Sequence, residues 1–195
     1  MASVLLLYAT GEGQTEKVAG RIAGLLEPRG HEVTTVDVRR ASGDLGVEEF
    51  DAVLVGSSIH MGTHPERIRE FVRTERDALA ERPSAFFQVC LSAAAEDPER
   101  RAEADRYVEE FVAETGWRPD RTAVFAGALR YSRYGFLKRA VMKRVAAEST
   151  GDTDTGRDYE YTDWESVERF AAAFADLVEG ESDDPGRGDE PRLIV

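Results

Sequence analysis

The chain has 195 residues, of which 42% are hydrophobic and 32% charged, and 38 acidic against 25 basic side chains give a formal net charge of −13. That length suits one compact domain with a sizeable core, and the acid excess disfavours general nucleic-acid binding, which needs a basic face for the phosphates. A single cysteine, Cys90, rules out an internal disulfide, and no apolar run approaches the ~20 residues that cross a bilayer.

In chain order, short apolar runs alternate with longer amphipathic segments, the pattern of a parallel sheet covered by helices. The opening Met1-Ala2-Ser3 leads directly into Val4-Leu5-Leu6-Leu7. This apolar stretch is too short for a signal peptide, so a first strand over 4–8 and a cytoplasmic location are expected. Val18, Ile22, Leu25 and Leu26 recur at helical spacing from Thr15 to about Glu27, and Gly30 has the place of a left-handed cap. Further strands are predicted over 33–38, 52–56, 84–91 and 123–129. Pro65 opens a helix with Ile68, Phe71 and Val72 on one face, and Pro98 precedes another with Ala104, Val108, Phe111 and Val112 inward. Thr162 and Glu165 have capping-box spacing ahead of a last helix with Val167, Phe170, Ala171, Phe174 and Val178. The expectation is an α/β fold: one doubly wound five-stranded parallel sheet with helices on both faces. It occupies residues 1–179, carries a helical insertion at about 130–158, and is followed by an acidic, disordered tail over 180–195.

The most informative stretch is Thr10-Gly11-Glu12-Gly13-Gln14-Thr15, directly after the first strand and opening the first helix. Helix N-terminal N–H groups lack partners and the helix dipole adds positive potential, so a phosphate fits there. A triphosphate loop would need a lysine where Gln14 stands. A dinucleotide fingerprint would need a third glycine where Glu16 stands, although Asp37 has the place of a ribose-binding acid. A plain glycine-bearing turn is the remaining alternative. A loop without a cation suits a phosphate monoester held by backbone amides and the hydroxyls of Thr10 and Thr15.

Here a resemblance becomes specific. Tyr8-Ala9-Thr10-Gly11-Glu12-Gly13-Gln14-Thr15 resembles the flavodoxin phosphate signature. Gly56-Ser57-Ser58-Ile59, Pro83-Ser84-Ala85-Phe86-Phe87, Trp117-Arg118-Pro119-Asp120, Ala126-Gly127-Ala128-Leu129-Arg130-Tyr131, Thr153-Asp154-Thr155 and Tyr161-Thr162-Asp163-Trp164 resemble one branch of that family, the menaquinone-dependent protoporphyrinogen IX dehydrogenases. The resemblance runs from about residue 3 to 178. It implies non-covalent FMN as cofactor, held by residues 10–15 and by the loops after the third and fourth strands. From those loops it implies Ser58, Ile59, His60 and Met61, and Cys90, Leu91, Ser92 and Ala93. The branch tends to carry Arg and Tyr where this chain has His60 and Met61.

His60 and His64 are four apart but flank Gly62, with Pro65 next and no third ligand evident, so no metal site is expected. Cys90 reads as a small packing residue, and no catalytic side chain is needed where the cofactor accepts the electrons.

Residues 121–147 contain no acid. They hold Arg121, Arg130, Arg133, Lys138, Arg139, Lys143 and Arg144, interleaved with Tyr131, Tyr134 and Phe136, and Leu137, Val141 and Val145 are spaced for a helix over about 136–148. A loop after a strand lies at the ligand-binding end of a doubly wound sheet. Such a segment suits a flat anionic substrate, with arginines pairing carboxylates. Protoporphyrinogen, which the resemblance implies, fits that description, with Arg130, Tyr131, Arg133, Lys138 and Arg139 as binding residues and a quinone as acceptor. Peripheral docking to an anionic membrane and a solvated helix packed on its own domain are the other readings. An electron-shuttle flavodoxin without a substrate, and a quinone reductase using NAD(P)H, are the rival functions. Elsewhere Lys17 is the lone lysine, and dense acid with scarce lysine points to adaptation to high salt ahead of a merely GC-rich genome.

Overall fold

Alternation along the first strand sets the architecture. In β1 (Ser3–Ala9), Val4, Leu6 and Tyr8 face one side of the sheet and Leu5, Leu7 and Ala9 the other, and all are buried. One face packs against Val18, Ile22 and Leu26 of α1 (Gln14–Leu26) and Phe170 and Phe174 of α6 (Trp164–Glu179). The other packs against Ile68 and Val72 of α2 (Glu66–Thr74), Leu79 of α3 (Arg76–Ala80), and Val108 and Phe111 of α4 (Pro98–Thr115), with Trp117 beside them. Helices on both faces therefore bury a sheet of near-continuous apolar strands.

This computed structural model describes residues 1–41, 45–133, 135–180 and 192–194, and for 136–138, 148–149 and 192–194 the backbone path alone. Its sheet runs β2 (Glu32–Asp37), β1, β3 (Ala52–Ser58), β4 (Ser84–Cys90), β5 (Arg121–Ala126), with every pairing parallel. This is the flavodoxin-like order expected of the sequence, and the chain reverses direction across the sheet between β1 and β3, where such folds open a ligand crevice. Arg192–Ile194 adds a short strand, β8, parallel to β5. The rest of the tail expected to be disordered, 181–191 and 195, lies outside the described residues. Among the described residues no helix is long and apolar enough to cross a membrane.

Two local expectations are corrected. The fifth strand stops at Ala126, not 129. Gly127 donates its N–H to the Cys90 carbonyl at 2.9 Å, and the chain turns off, so that β6 (Ala128–Leu129) pairs antiparallel with β7 (Tyr159–Glu160). The last helix is capped by Asp163, whose Oδ1 accepts from the N–H groups of Glu165 (3.0 Å) and Ser166 (3.3 Å). Thr162, the expected cap, instead donates its hydroxyl to the Ala126 carbonyl at 2.7 Å. In α5 (Phe136–Ser149) the residues turned inward are Met142 and Ala146, against Leu129 and Tyr131, whereas Val141 and Val145 are exposed. The i, i+4 spacing of the valines identified a helix but not the face it buries.

Candidate cofactor-binding site

The loop between β1 and α1 is built around its own first residue. Thr10 Oγ1 accepts from the Gly13 N–H at 2.9 Å, which folds residues 10–13 into a tight turn and leaves the Thr10 hydroxyl hydrogen available to donate. Gly13 takes φ 93°, a left-handed conformation that side-chain-bearing residues adopt at a cost, and from it α1 starts without a side-chain cap. The first N–H groups of α1 therefore point out of an uncapped N-terminus. Behind them Thr15 is almost fully buried, and its Oγ1 has no hydrogen-bond partner. A buried hydroxyl without a partner costs about 1–3 kcal/mol, and an anion seated on this turn would satisfy it. Gln14 turns away: its Nε2 donates to Thr162 Oγ1 and its Oε1 accepts from Arg130, both at 2.8 Å, so only its backbone serves the loop.

The loops after β3 and β4 converge on the same edge. Ser58 ends β3 with a buried Oγ that likewise lacks a partner. The Ile59 N–H donates to the Val89 carbonyl at 3.2 Å, which joins the two loops. His60 and Thr63 exchange both backbone hydrogen bonds (2.9 and 3.1 Å) across Met61 (φ 49°) and Gly62 (φ 78°). Two successive positive φ values make a type I′ hairpin. Its first corner carries Met61, fully exposed and in a conformation unusual for a non-glycine residue. The His60 ring lies on the phosphate loop, against Gly11. Leu91, Ser92 and Ala93 are half-buried in a short turn after β4. Cys90 is buried, and burial pushes its thiol up to about 12, so it carries no thiolate at neutral pH.

His64 parts from His60. It is buried, with Nδ1 3.0 Å from Ser57 Oγ and Nε2 3.2 Å from the Tyr107 carbonyl. Its ring meets Phe111 edge-on at 4.7 Å, and burial lowers its pKa to about 4. A carbonyl only accepts, so Nε2 carries the proton. Asp37 has both oxygens on the Arg39 guanidinium, which holds its carboxyl below the usual range, so it is engaged within the protein. A cavity of about 510 Å³ opens beside Thr10 between Val38, Arg39, Pro65 and Arg67.

The basic segment does not act as one patch. Arg121 begins β5 and so lies at the opposite edge of the sheet. Arg130 and Arg133 reach the phosphate loop. Arg130 Nη2 donates to Gln14 Oε1 and, at 3.1 Å, to Glu160, while Arg133 Nη1 donates to the Glu12 carbonyl at 2.9 Å. Tyr131 is fully buried, with its hydroxyl donating to the Asp152 carbonyl at 3.1 Å, so it supports the insertion from within and presents no face to a substrate. Arg139 Nη2 donates to the Tyr131 carbonyl at 3.1 Å. Tyr134 and the Lys138 side chain lie outside the described residues. Sequence reading missed Glu160, which gathers Lys17 (2.7 Å), Arg130 and the Trp164 indole N–H (3.0 Å), and Thr162, which links Gln14 to β5. The available signal was the return of acids just after the acid-free run.

The flavodoxin-domain family profile matches residues 5–156. The protoporphyrinogen IX dehydrogenase [quinone] of Escherichia coli K12 is 38% identical over 176 residues, covering 90% of this chain and 96% of that protein. The Leishmania major protein of the same name is 33% identical over 174 residues, covering 89% and 74%. Among solved structures, a flavodoxin mutant from Pseudomonas aeruginosa aligns with a TM-score of 0.56 at 20% identity, over 91% of this chain and 99% of that one. Oxidised flavodoxin 1 of Bacillus cereus aligns at 0.53 and 19%, over 88% and 96%. An uncapped glycine turn with buried, unpartnered hydroxyls at Thr15 and Ser58, a 2-1-3-4-5 sheet and identity across nearly the whole chain agree: the chain belongs to the flavodoxin-domain family, in the branch of the protoporphyrinogen IX dehydrogenases.

Proposed function

We propose that the protein binds FMN at the edge formed by residues 10–15, 58–61 and 90–93, oxidises protoporphyrinogen IX to protoporphyrin IX, and passes the electrons to a quinone. One observation carries the reading: the cationic insertion folds back onto the cofactor loop through Arg130 and Arg133. The cofactor residues present suit FMN. The α1 N-terminus and Thr10 and Thr15 offer donors to its phosphate, and Ser58, Ile59, His60, Met61, Leu91, Ser92 and Ala93 border the region of the ring. Bound FMN supplies a two-electron acceptor, so the six electrons of one porphyrinogen require three cycles and three quinones. The chain's part is to bind and orient. Arg130, Lys138 and Arg139 of the insertion would supply the positive charge that the substrate's propionates need.

A membrane contact is favoured by a separate observation. Val141 and Val145 of α5 stand exposed beside Lys143 and Arg144, an apolar and basic face suited to an anionic bilayer that holds the quinone.

Anaerobic mixing of the flavin-loaded protein with protoporphyrinogen tests the function. Flavin bleaching, reversed by a soluble quinone, is expected. A flavin that stays oxidised while low-potential reductants bleach it would put the shuttle reading first.

A further inference from the structure

The phosphate loop has no cation of its own, and Lys17, one turn into α1, is bound to Glu160 at 2.7 Å and lies 4.9 Å from the Trp164 ring centre. The cations that reach the loop, Arg130 and Arg133, come from far along the chain, and Arg133 is the one on its backbone. Arg133 Nη1 donates to the Glu12 carbonyl at 2.9 Å, and a methyl group built on Gly13 would stand 3.1 Å from the same nitrogen. The guanidinium thus lies over the uncapped start of α1. A carbonyl engages one of its five N–H groups. The unpartnered, buried Thr15 Oγ1 is the independent sign that an anion belongs here.

We infer that Arg133 is a cofactor-binding residue: it clasps the loop through Glu12 and pairs with the phosphate monoester of FMN. This rests on the FMN reading of the site and not on the porphyrinogen reading. The charge balance explains the need. A phosphate monoester carries close to two negative charges at neutral pH, Glu12 and Glu16 stand in or beside the loop, and the whole chain carries −13. Backbone amides and a helix dipole contribute partial charges only. A guanidinium contributes a full charge in a fork shaped for phosphate oxygens. The insertion then closes over the phosphate end of the cofactor, so cofactor retention and the substrate-facing segment form one structural unit.

FMN and riboflavin share the ring and ribityl chain and differ in the phosphate, so titrating both separates the clasp from a general effect on the loop. The full chain, stripped of flavin, is titrated with each by fluorescence quenching, as wild type, Arg133→Gln and Arg133→Lys, at low and high salt. Arg133→Gln should weaken FMN by about tenfold or more while riboflavin affinity is unchanged. The loss should shrink at high salt, where screening already weakens the pairing. Arg133→Lys should recover part of the preference for FMN, because charge is kept and the fork is lost. Equal losses for both flavins would mean that Arg133 only braces the loop, and an unaltered FMN affinity would mean that it does not touch the phosphate; either overturns the inference. A wild-type chain that binds neither flavin would instead overturn the cofactor reading itself.

Discussion

The His60 imidazole lies against the α-carbon of Gly11: a methyl group built there would fall 1.7 Å from Nε2. A methyl group at Gly56 would likewise fall 2.2 Å from Phe87 Cζ. The two clashes have different consequences because His60 is exposed on a hairpin while Phe87 is fully buried between strands and α6. Gly11→Ala should leave the melting temperature nearly unchanged but push His60 off the loop and shift the bound flavin's visible spectrum. Gly56→Ala should destabilise by about 1–3 kcal/mol through overpacking. Urea unfolding of both variants, with absorbance spectra of the loaded forms, checks the pair; equal stability losses would contradict it.

Thr15 predicts effects of opposite sign with and without cofactor. Its buried Oγ1 has no partner within the protein, so Thr15→Val removes a desolvation cost from the flavin-free chain and should raise its stability. The same change should weaken FMN by about 1–2 kcal/mol, the worth of a hydrogen bond to a charged group. Thermal melts of the flavin-free variant and FMN titration measure the two signs separately.

His64 gives a pH dependence. Burial lowers its folded-state pKa to about 4 from an ordinary 6.5. The unfolded chain therefore binds a proton that the fold rejects as pH falls from 6.5 toward 4. Stability is full above 6.5 and is lost progressively on acidification through that window, to a total of roughly 3 kcal/mol. Urea midpoints at pH 4.5–7 should slope for wild type, and the slope should flatten in His64→Gln even though that variant is less stable throughout. An unaltered slope would assign the dependence to other groups.

Neutralising the insertion should have two effects. Arg130→Gln, Arg133→Gln, Lys138→Gln and Arg139→Gln together should reduce porphyrinogen turnover by orders of magnitude, at about 1.5–3 kcal/mol for each lost charged contact. Because Arg130 and Arg133 touch the phosphate loop, FMN affinity should fall as well, whereas Lys138→Gln with Arg139→Gln should keep FMN. Equilibrium dialysis alongside anaerobic turnover distinguishes the two halves, and co-sedimentation of the four-residue variant with anionic vesicles reads the membrane contact.

We propose adaptation to high salt from the charge of −13 and the scarcity of lysine. Screening should relieve repulsion among the carboxylates, so the melting temperature should rise from low to molar salt. Ion pairs such as Lys17 with Glu160 and the pairing of Arg69 and Arg73 with Glu114 work against that trend, being weakened by the same screening. A flat melt would mean that the two cancel and that the acid excess is incidental.

What was legible in the sequence was local. The short apolar run over residues 4–8, helical spacing from Val18 to Leu26 and the glycine turn at 10–15 each follow from the period of one element or from the conformational needs of a few adjacent residues, and they led to the sheet and the loop. What tertiary structure alone decided was pairing across the chain. Arg130 meets Gln14 across 116 positions and Arg133 meets Glu12 across 121, so two cations expected to face only a substrate also brace the cofactor loop. Nor could spacing say that α5 would bury Met142 and Ala146 and expose Val141 and Val145, because both sets lie one helical turn apart. Which face turns inward depends on the Leu129–Tyr131 cluster that waits beneath it, and that cluster exists only once Gly127 has turned the chain away from β5.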